Sequence, residues 1–207
     1  MNRLAIIGAS GHGKVLADIA LQVGWSSVVF FDDAYPTLTS IELWKVVGTT
    51  NDFIESATEF DGVIVAIGNN QIRLKIQTRL TQANCNVVNL IHPHATVSQF
   101  VKLGSGNVIM AGAVISPFVT IGNACIINSN AVVEHDCILS DAVHLSPASA
   151  LAGGGKVGLC SWIGIGAVTK QMLTITEHVI VGAGASVVND LTFSGTYIGV
   201  PARKIIK

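Results

Sequence analysis

Glu134, His135 and Asp136 stand together in a stretch that is otherwise almost free of charge. Between Leu103 and Gly155 there is no lysine or arginine, and the only other carboxylate is Asp141. A neutral imidazole can take a proton from an attacking hydroxyl or amine, and a carboxylate on its second ring nitrogen selects the tautomer that does so. Either neighbour offers that carboxylate. Adjacent side chains on a strand face opposite ways, so Glu134 and Asp136 would both turn from His135 unless a turn breaks the alternation. Spacing leaves the choice open, and the plainer reading is a surface histidine salt-bridged to its neighbours. His144 follows nine residues later, a spacing compatible with proximity to His135 without establishing it. His92 and His94 have no acidic or thiol partner near them, so no metal site is expected.

A second chemical candidate lies near the start, where Gly8, Gly11 and Gly13 surround His12. A glycine turn that opens a helix exposes backbone amides to a phosphate or another anion. The order is GxxGxG, not the GxGxxG of dinucleotide sites, and the lysine-hydroxyl ending of a P-loop is missing. Ordinary NAD binding is therefore not expected. A different nucleotide-bearing substrate is, with a purely structural tight turn as the other reading. Asp32 and Asp33 end a second apolar run, where they would accept hydrogen bonds from sugar or ribose hydroxyls or simply cap a turn.

The elements that position these residues are of two kinds. Residues 1–90 alternate: an apolar strand at 4–7, a helix over 14–23 with Val15, Leu16, Ile19 and Val23 at helical intervals, and strands at 28–31 and 63–67. A further helix presents Ile72, Ile76 and Leu80 on one face, with Arg73, Lys75 and Arg79 outward. This predicts a small parallel sheet whose loops gather at the carboxyl ends of the strands.

From Val97 to Val187 the period changes to six. Fifteen of the sixteen positions reached by steps of six are aliphatic, the exception being Thr169. Six α-helical steps of about 100° turn the direction by about 240°, so a helix cannot keep such a column on one face. Short strands separated by turns can, if three of them close a triangular coil and eighteen residues return the chain to the same wall. Small residues two places before the aliphatic ones, among them Ala113, Cys125, Cys137 and Ser149, let the walls approach. Gly104, Gly122, Gly158, Gly164 and Gly182 follow aliphatic positions directly, where relaxed backbone geometry would help form corners.

Composition narrows the function classes. The 207 residues are 50% hydrophobic and only 12% charged, against about 25% charged in a typical soluble chain. That balance fits side surfaces hidden in an oligomer. A net charge of -1 gives no broad attraction to nucleic acid or to an anionic membrane. The apolar start runs straight into the glycine turn, so it reads as a buried strand and not as a signal peptide. No run approaches the roughly 20 apolar residues of a membrane span, and a soluble cytoplasmic protein is expected. The cysteines Cys85, Cys125, Cys137 and Cys160 show no metal or disulfide spacing.

Taken together, GASGHGKV at 8–15, FFDD at 30–33, AIGNN at 66–70, VVEHDC at 132–137, VHLSPAS at 143–149 and GVPAR at 199–203 resemble the bacterial sugar O- or N-acyltransferases of the sialic-acid O-acetyltransferase and bacillosamine-pathway acetyltransferase type. The resemblance covers nearly the whole chain. It implies a Rossmann-like sugar-nucleotide-binding domain over 1–90 and a left-handed parallel β-helix of hexapeptide repeats over 91–207. It also implies a homotrimer with active sites between subunits and acetyl-CoA in the groove between two β-helices, with no metal. In that family likeness His135 is the general base and Asp136 orients it, with Glu134 as the competing partner. His144 would meet the thioester from a neighbouring subunit. Gly153, Gly164, Lys170, Gly182 and Lys204 would lie along acetyl-CoA, with a backbone amide among 153–155 facing the developing oxyanion. Gly11, His12, Gly13, Asp32, Asp33 and Asn69 would seat the nucleotide-linked sugar. The acceptor is expected to be a nucleotide-linked amine. The alternatives are a sialic-acid or polysaccharide hydroxyl, and a non-catalytic hexapeptide scaffold.

Overall fold

The computed structural model describes residues 2–205, and the chain divides into two compact units, Met1–Pro93 and His94–Lys207. The first unit is built on β1 (Arg3–Ile7), α1 (Gly11–Gln22), β2 (Ser27–Phe31), α2 (Thr50–Glu55), β3 (Gly62–Val65) and α3 (Asn70–Gln82). The strands pair in parallel in the order β2-β1-β3. Ala5, Ile7, Val63 and Val65 pack with Phe31, Phe53, Ile76 and Leu80 on one face of this sheet. With the central strand buried along residues 4–7, the backbone turns that follow each strand come out at the same edge.

Both helices are rotated from the expected faces. In α1 the buried set is Leu16, Ala17, Ile19 and Ala20, while Val15 and Val23 are exposed and Val23 is the C-cap. In α3 the inward stripe is Arg73, Ile76, Gln77 and Leu80. Arg73, expected outward, is 1% exposed, and Ile72 is 49% exposed. The cause is local. Asn69 caps α3 by accepting a hydrogen bond from Ile72 N. The Arg73 guanidinium then reaches back to the carbonyls of Ile67 and Gly68 and to Asn70 Oδ1, at 2.9, 3.2 and 2.8 Å. Hydrogen bonds to a charged donor are stronger than neutral ones, and here they hold the turn after β3.

The second unit is a parallel β-helix, left-handed and of about six turns. Its first wall runs from Thr96–Val97 to Ser186–Val187, the second from Lys102–Leu103 to Thr174–Ile175, and the third from Val108–Ile109 onward to Arg203–Lys204. Strand partners are eighteen residues apart, as in Thr96↔Val114↔Val132 and Ile126↔His144↔Trp162. The inward column and the small residues beside it form one continuous core. Each Val, Leu or Ile fully buried there contributes about 1.5–3 kcal/mol.

The corners use glycine differently from the expectation. Left-handed backbone recurs every six residues, three places after the aliphatic one, through Gly112, Phe118, Ala124, Asn130, Asp136 and onward to Gly184. The glycines one place after the aliphatic residue have another cause, close stacking of coils. A Cβ on Gly158 would lie 2.5 Å from Glu177 N, and one on Gly164 2.6 Å from Val181 O. Gly158→Ala should therefore lower the thermal midpoint by several degrees. Gly166→Ala, at a left-handed position with open space around it, should cost only the backbone strain, about 1–2 kcal/mol, and less than Gly158→Ala. Equal losses in thermal melts would reject the stacking explanation.

Candidate active site

His135 and Asp136 sit in the turn between the first and second walls, just past the strand Val132–Val133. The turn breaks the strand alternation, and Asp136 takes the left-handed conformation, φ 60°. That rotation brings its carboxylate round to the imidazole, and His135 Nδ1 donates to Asp136 Oδ2 at 2.8 Å. Glu134 points elsewhere and accepts from Ser116 Oγ at 3.2 Å. The pair is open to solvent, 64% and 63% exposed. Behind the ring lies the next coil: the Gly154 amide donates to the His135 carbonyl at 2.8 Å. A Cβ on Gly153 would fall 2.6 Å from His135 Nε2. Only a residue without a side chain lets the imidazole lie there. Burial pushes the Cys137 thiol up from its ordinary range, so the thiol that follows the turn stays protonated.

His144 lies on the third wall and is 8% exposed. It stacks on Trp162 with centroids 5.1 Å apart and planes 16° apart. Trp162 Nε1 is itself anchored on Ser146 Oγ at 2.6 Å. Asn128 Nδ2 donates to His144 Nε2 at 3.2 Å, which places the proton of a neutral ring on Nδ1. Neither Trp162 nor Asn128 was singled out from the sequence. The signal for Trp162 was present, since it stands eighteen residues after His144.

A triangular coil sets the corner between walls one and two opposite wall three, so His135 and His144 of one chain do not share a site. The other expected donor-binding residues divide the same way. Gly153 and Lys170 share the His135 corner, and Lys170 lines a depression of about 480 Å³ with Met172 and Asp190. Gly164 and Gly182 follow the third wall, and Lys204 ends it, its ammonium 5.7 Å from the centroid of the Phe193 ring. Coil stacking accounts for both glycines without a ligand.

In the first unit a cavity of about 270 Å³ opens at the carboxyl ends of the strands, lined by Gly8, Ser10, Asp32, Asp33, Thr50 and Gly68 among others. Gly8 supplies φ +108°, and Gly13 lets α1 close on the Gly8 carbonyl, which a Cβ would approach to 2.5 Å. Gly11 meets nothing within 4 Å. Asp32 accepts from the Ala9 and Ala34 amides at 2.8 and 2.9 Å, and Asp33 accepts from the Thr50 amide at 2.8 Å. Both carboxylates thus brace the rim as well as line it. Asn69 is committed to capping α3. Thr50 and Ser10 went unnoticed in the sequence because an isolated hydroxyl residue carries no pattern. His12 is set into the glycine turn with Nε2 buried and without a hydrogen-bond partner. Desolvation, reinforced by the Arg73 charge, lowers its pKa to about 4. Among the described residues no group of three His, Cys, Asp or Glu could hold a metal ion, and no helix is long and apolar enough to cross a membrane.

The coil and its corner define a hexapeptide-repeat protein with a histidine and carboxylate pair on its surface, joined to an α/β unit with a cavity at the carboxyl ends of its strands. Residues 3–80 match the PglD N-terminal domain, and residues 100–135 match the bacterial transferase hexapeptide (six repeats). The acetyltransferase domain of PglB from Neisseria gonorrhoeae FA1090, solved in complex with acetyl coenzyme A, is 40% identical. The match covers 99% of this chain and 100% of that one, with a TM-score of 0.93. PerB from Caulobacter crescentus, solved with CoA and GDP-perosamine, is 39% identical over 99% of this chain and 98% of its own, also at 0.93. UDP-N-acetylbacillosamine N-acetyltransferase of Bacillus subtilis (strain 168) is 37% identical over 54% of this chain, which spans about half, 52%, of that protein's length. The chain belongs to the hexapeptide-repeat transferases that carry a PglD-type amino-terminal domain.

Because His12 is held neutral when folded, the unfolded chain binds a proton between about pH 6.5 and 4 that the native state refuses. Stability should fall as pH drops through that window, with the penalty complete below about 4. His12→Gln should flatten the pH dependence of the melting temperature there, and the ring should titrate near 4 by NMR. A ring titrating near 6.5 contradicts the burial.

Proposed function

We propose that this protein transfers an acetyl group from acetyl-CoA to the amine of a nucleotide-linked amino sugar. The observation that carries the reading is the 2.8 Å hydrogen bond from His135 to Asp136, with Nε2 left toward the glycine backbone and solvent. The names of the relatives support an amine over a hydroxyl: one is a bacillosamine N-acetyltransferase, and another was solved with GDP-perosamine. Residues 1–90 take the nucleotide in the cavity beside Asp32 and Asp33, with His12 and the amides of the glycine turn nearby. Residues 91–207 carry the transfer. Both substrates are cytoplasmic metabolites, which supports a cytoplasmic location.

Asp136 holds the Nδ1 proton, so the neutral imidazole presents a lone pair at Nε2. His135 takes the proton of the amine as its nitrogen bonds to the acetyl carbonyl carbon. The carbon-sulfur bond then breaks, the electron pair leaves with the CoA sulfur, and the imidazolium returns its proton to that thiolate. The Gly154 amide is spent on the His135 carbonyl and the Gly155 amide on the Cys137 sulfur, so stabilisation of the oxyanion falls to the Gly153 amide. The His135 ring takes the volume beside Gly153 and the Met172 side chain that beside Gly154, so the thioester approaches the imidazole from its solvent side. His144 reaches that thioester from a neighbouring copy, because its wall faces away from His135 in its own chain. A closed trimer supplies three such grooves, with Gly164, Gly182 and Lys204 from one chain meeting Gly153 and Lys170 of the next.

The test is CoA release from acetyl-CoA with UDP-, dTDP- and GDP-amino sugars, free sialic acid and hydroxyl acceptors, followed by product mass. His135→Ala should lower kcat by about 10²–10⁴-fold with little change in CoA affinity, and Asp136→Asn should cost more than Glu134→Gln. Normal turnover without the imidazole sinks the proposal.

A further inference from the structure

We infer that Phe118, backed by Phe100, is the platform on which the acceptor's sugar ring stacks beside His135; this rests on the acyl-transfer reading above. Phe118 stands eighteen residues before Asp136, at the same corner one coil earlier. The contact is direct along the backbone, since Asp136 N donates to the Pro117 carbonyl at 3.3 Å, and the flanking strands pair Thr120↔Ile138. Phe118 is 63% exposed, and its ring stacks on Phe100 with centroids 5.3 Å apart and planes 25° apart.

Its backbone is left-handed, φ 64°, a conformation unfavourable for a bulky residue. The fold does not need a ring here: the equivalent place at other corners is filled by Ala124, Ala142 and Ala148 as well as by Asn130, Cys160, Met172 and His178. The ring contributes to the surface beside the base and nothing to the core.

The two directions along the corner from His135 differ in kind. Toward the end of the chain lie Gly153, packed against the imidazole, and Gly154, covered by Met172. Toward the start lie the two rings, rimmed by polar groups: Ser116 hydrogen-bonded to Glu134, and the exposed Lys102 and Thr120. An aromatic floor with a polar rim suits a pyranose, whose carbon-bound hydrogens pack on the ring face while its hydroxyls and amine reach the rim. The carboxylates of Glu134 and Asp136 and the π face of Phe118 also favour an acceptor that arrives as an ammonium ion, which gives one proton to solvent before its nitrogen attacks and the second to His135 as the amide forms. An amine attacking from this side meets the thioester across His135.

Steady-state kinetics with a nucleotide-linked amino sugar and acetyl-CoA, together with solution mass, test the inference on Phe118→Ala. Alanine already occupies this backbone conformation elsewhere in the coil, so the variant should fold. The acceptor KM should rise about tenfold or more, with the acetyl-CoA KM and the mass unchanged. Phe118→Tyr should restore the acceptor KM and Phe118→Leu should not. An acceptor KM within about twofold of the parent in Phe118→Ala and in the Phe100→Ala/Phe118→Ala double variant overturns the platform. So does a fall in mass, which would make the rings a contact between copies. If the unsubstituted protein acetylates no nucleotide sugar, the acyl-transfer reading fails and takes the platform with it. An active protein indifferent to Phe118 rejects the platform alone.

Discussion

Everything in the second unit depends on one constraint, the return of the backbone to the same wall after eighteen residues. Parallel strands of two residues each have too few hydrogen bonds to stand alone, and they hold because each pairs with the coil before and after it. The corners must then turn identically at every level. They do so with one left-handed residue per corner, at a spacing of six that runs unbroken from Gly106 to Gly184. Asp136 occupies one of those places, so the chemistry at the corner is a by-product of the turn that the coil requires. The conformation that folds the chain is also the one that swings a carboxylate onto its neighbour's imidazole.

The same constraint explains the glycine above the ring. Stacking places Gly153 one coil after His135, and the imidazole fills the volume a side chain there would occupy. The tight approach that elsewhere brings bare backbone against backbone, as at Gly158 and Gly164, here brings it against the imidazole of His135. A rigid repeat gives the imidazole little freedom to reorient, which is the condition the proposed proton acceptor needs.

The period of six made the coil legible, because no other regular structure keeps an aliphatic column in phase over that length. Glycines one place after the column were visible too, but their purpose was not. Sequence cannot tell a glycine needed for its dihedral from one needed for its missing Cβ, and here the second cause applies. The choice between Glu134 and Asp136 was likewise closed to spacing, since strand alternation excludes both and only the left-handed turn readmits one. Arg73 was misread for a different reason. A hydrophobic pattern sends charge outward, and the carbonyls of Ile67 and Gly68 that draw this guanidinium inward belong to a loop whose path the sequence does not draw.

What was readable and went unread is the set of outward neighbours that the eighteen-residue return defines. Once the coil length is known, every side chain has a neighbour eighteen places away, and the surface of the unit can be laid out as three walls and three corners. On that map Trp162 falls on His144, and Phe100, Phe118 and Asp136 fall in one line, with Gly154 and Met172 continuing it. The inward column reports only the fold, because any coil needs it. The outward columns are where a site can be sought, since nothing in the coil's stability dictates an aromatic ring, a carboxylate and then a glycine in succession along one edge. In a repeat protein the register is therefore the tool for reading the site, and its useful step is the full coil of eighteen.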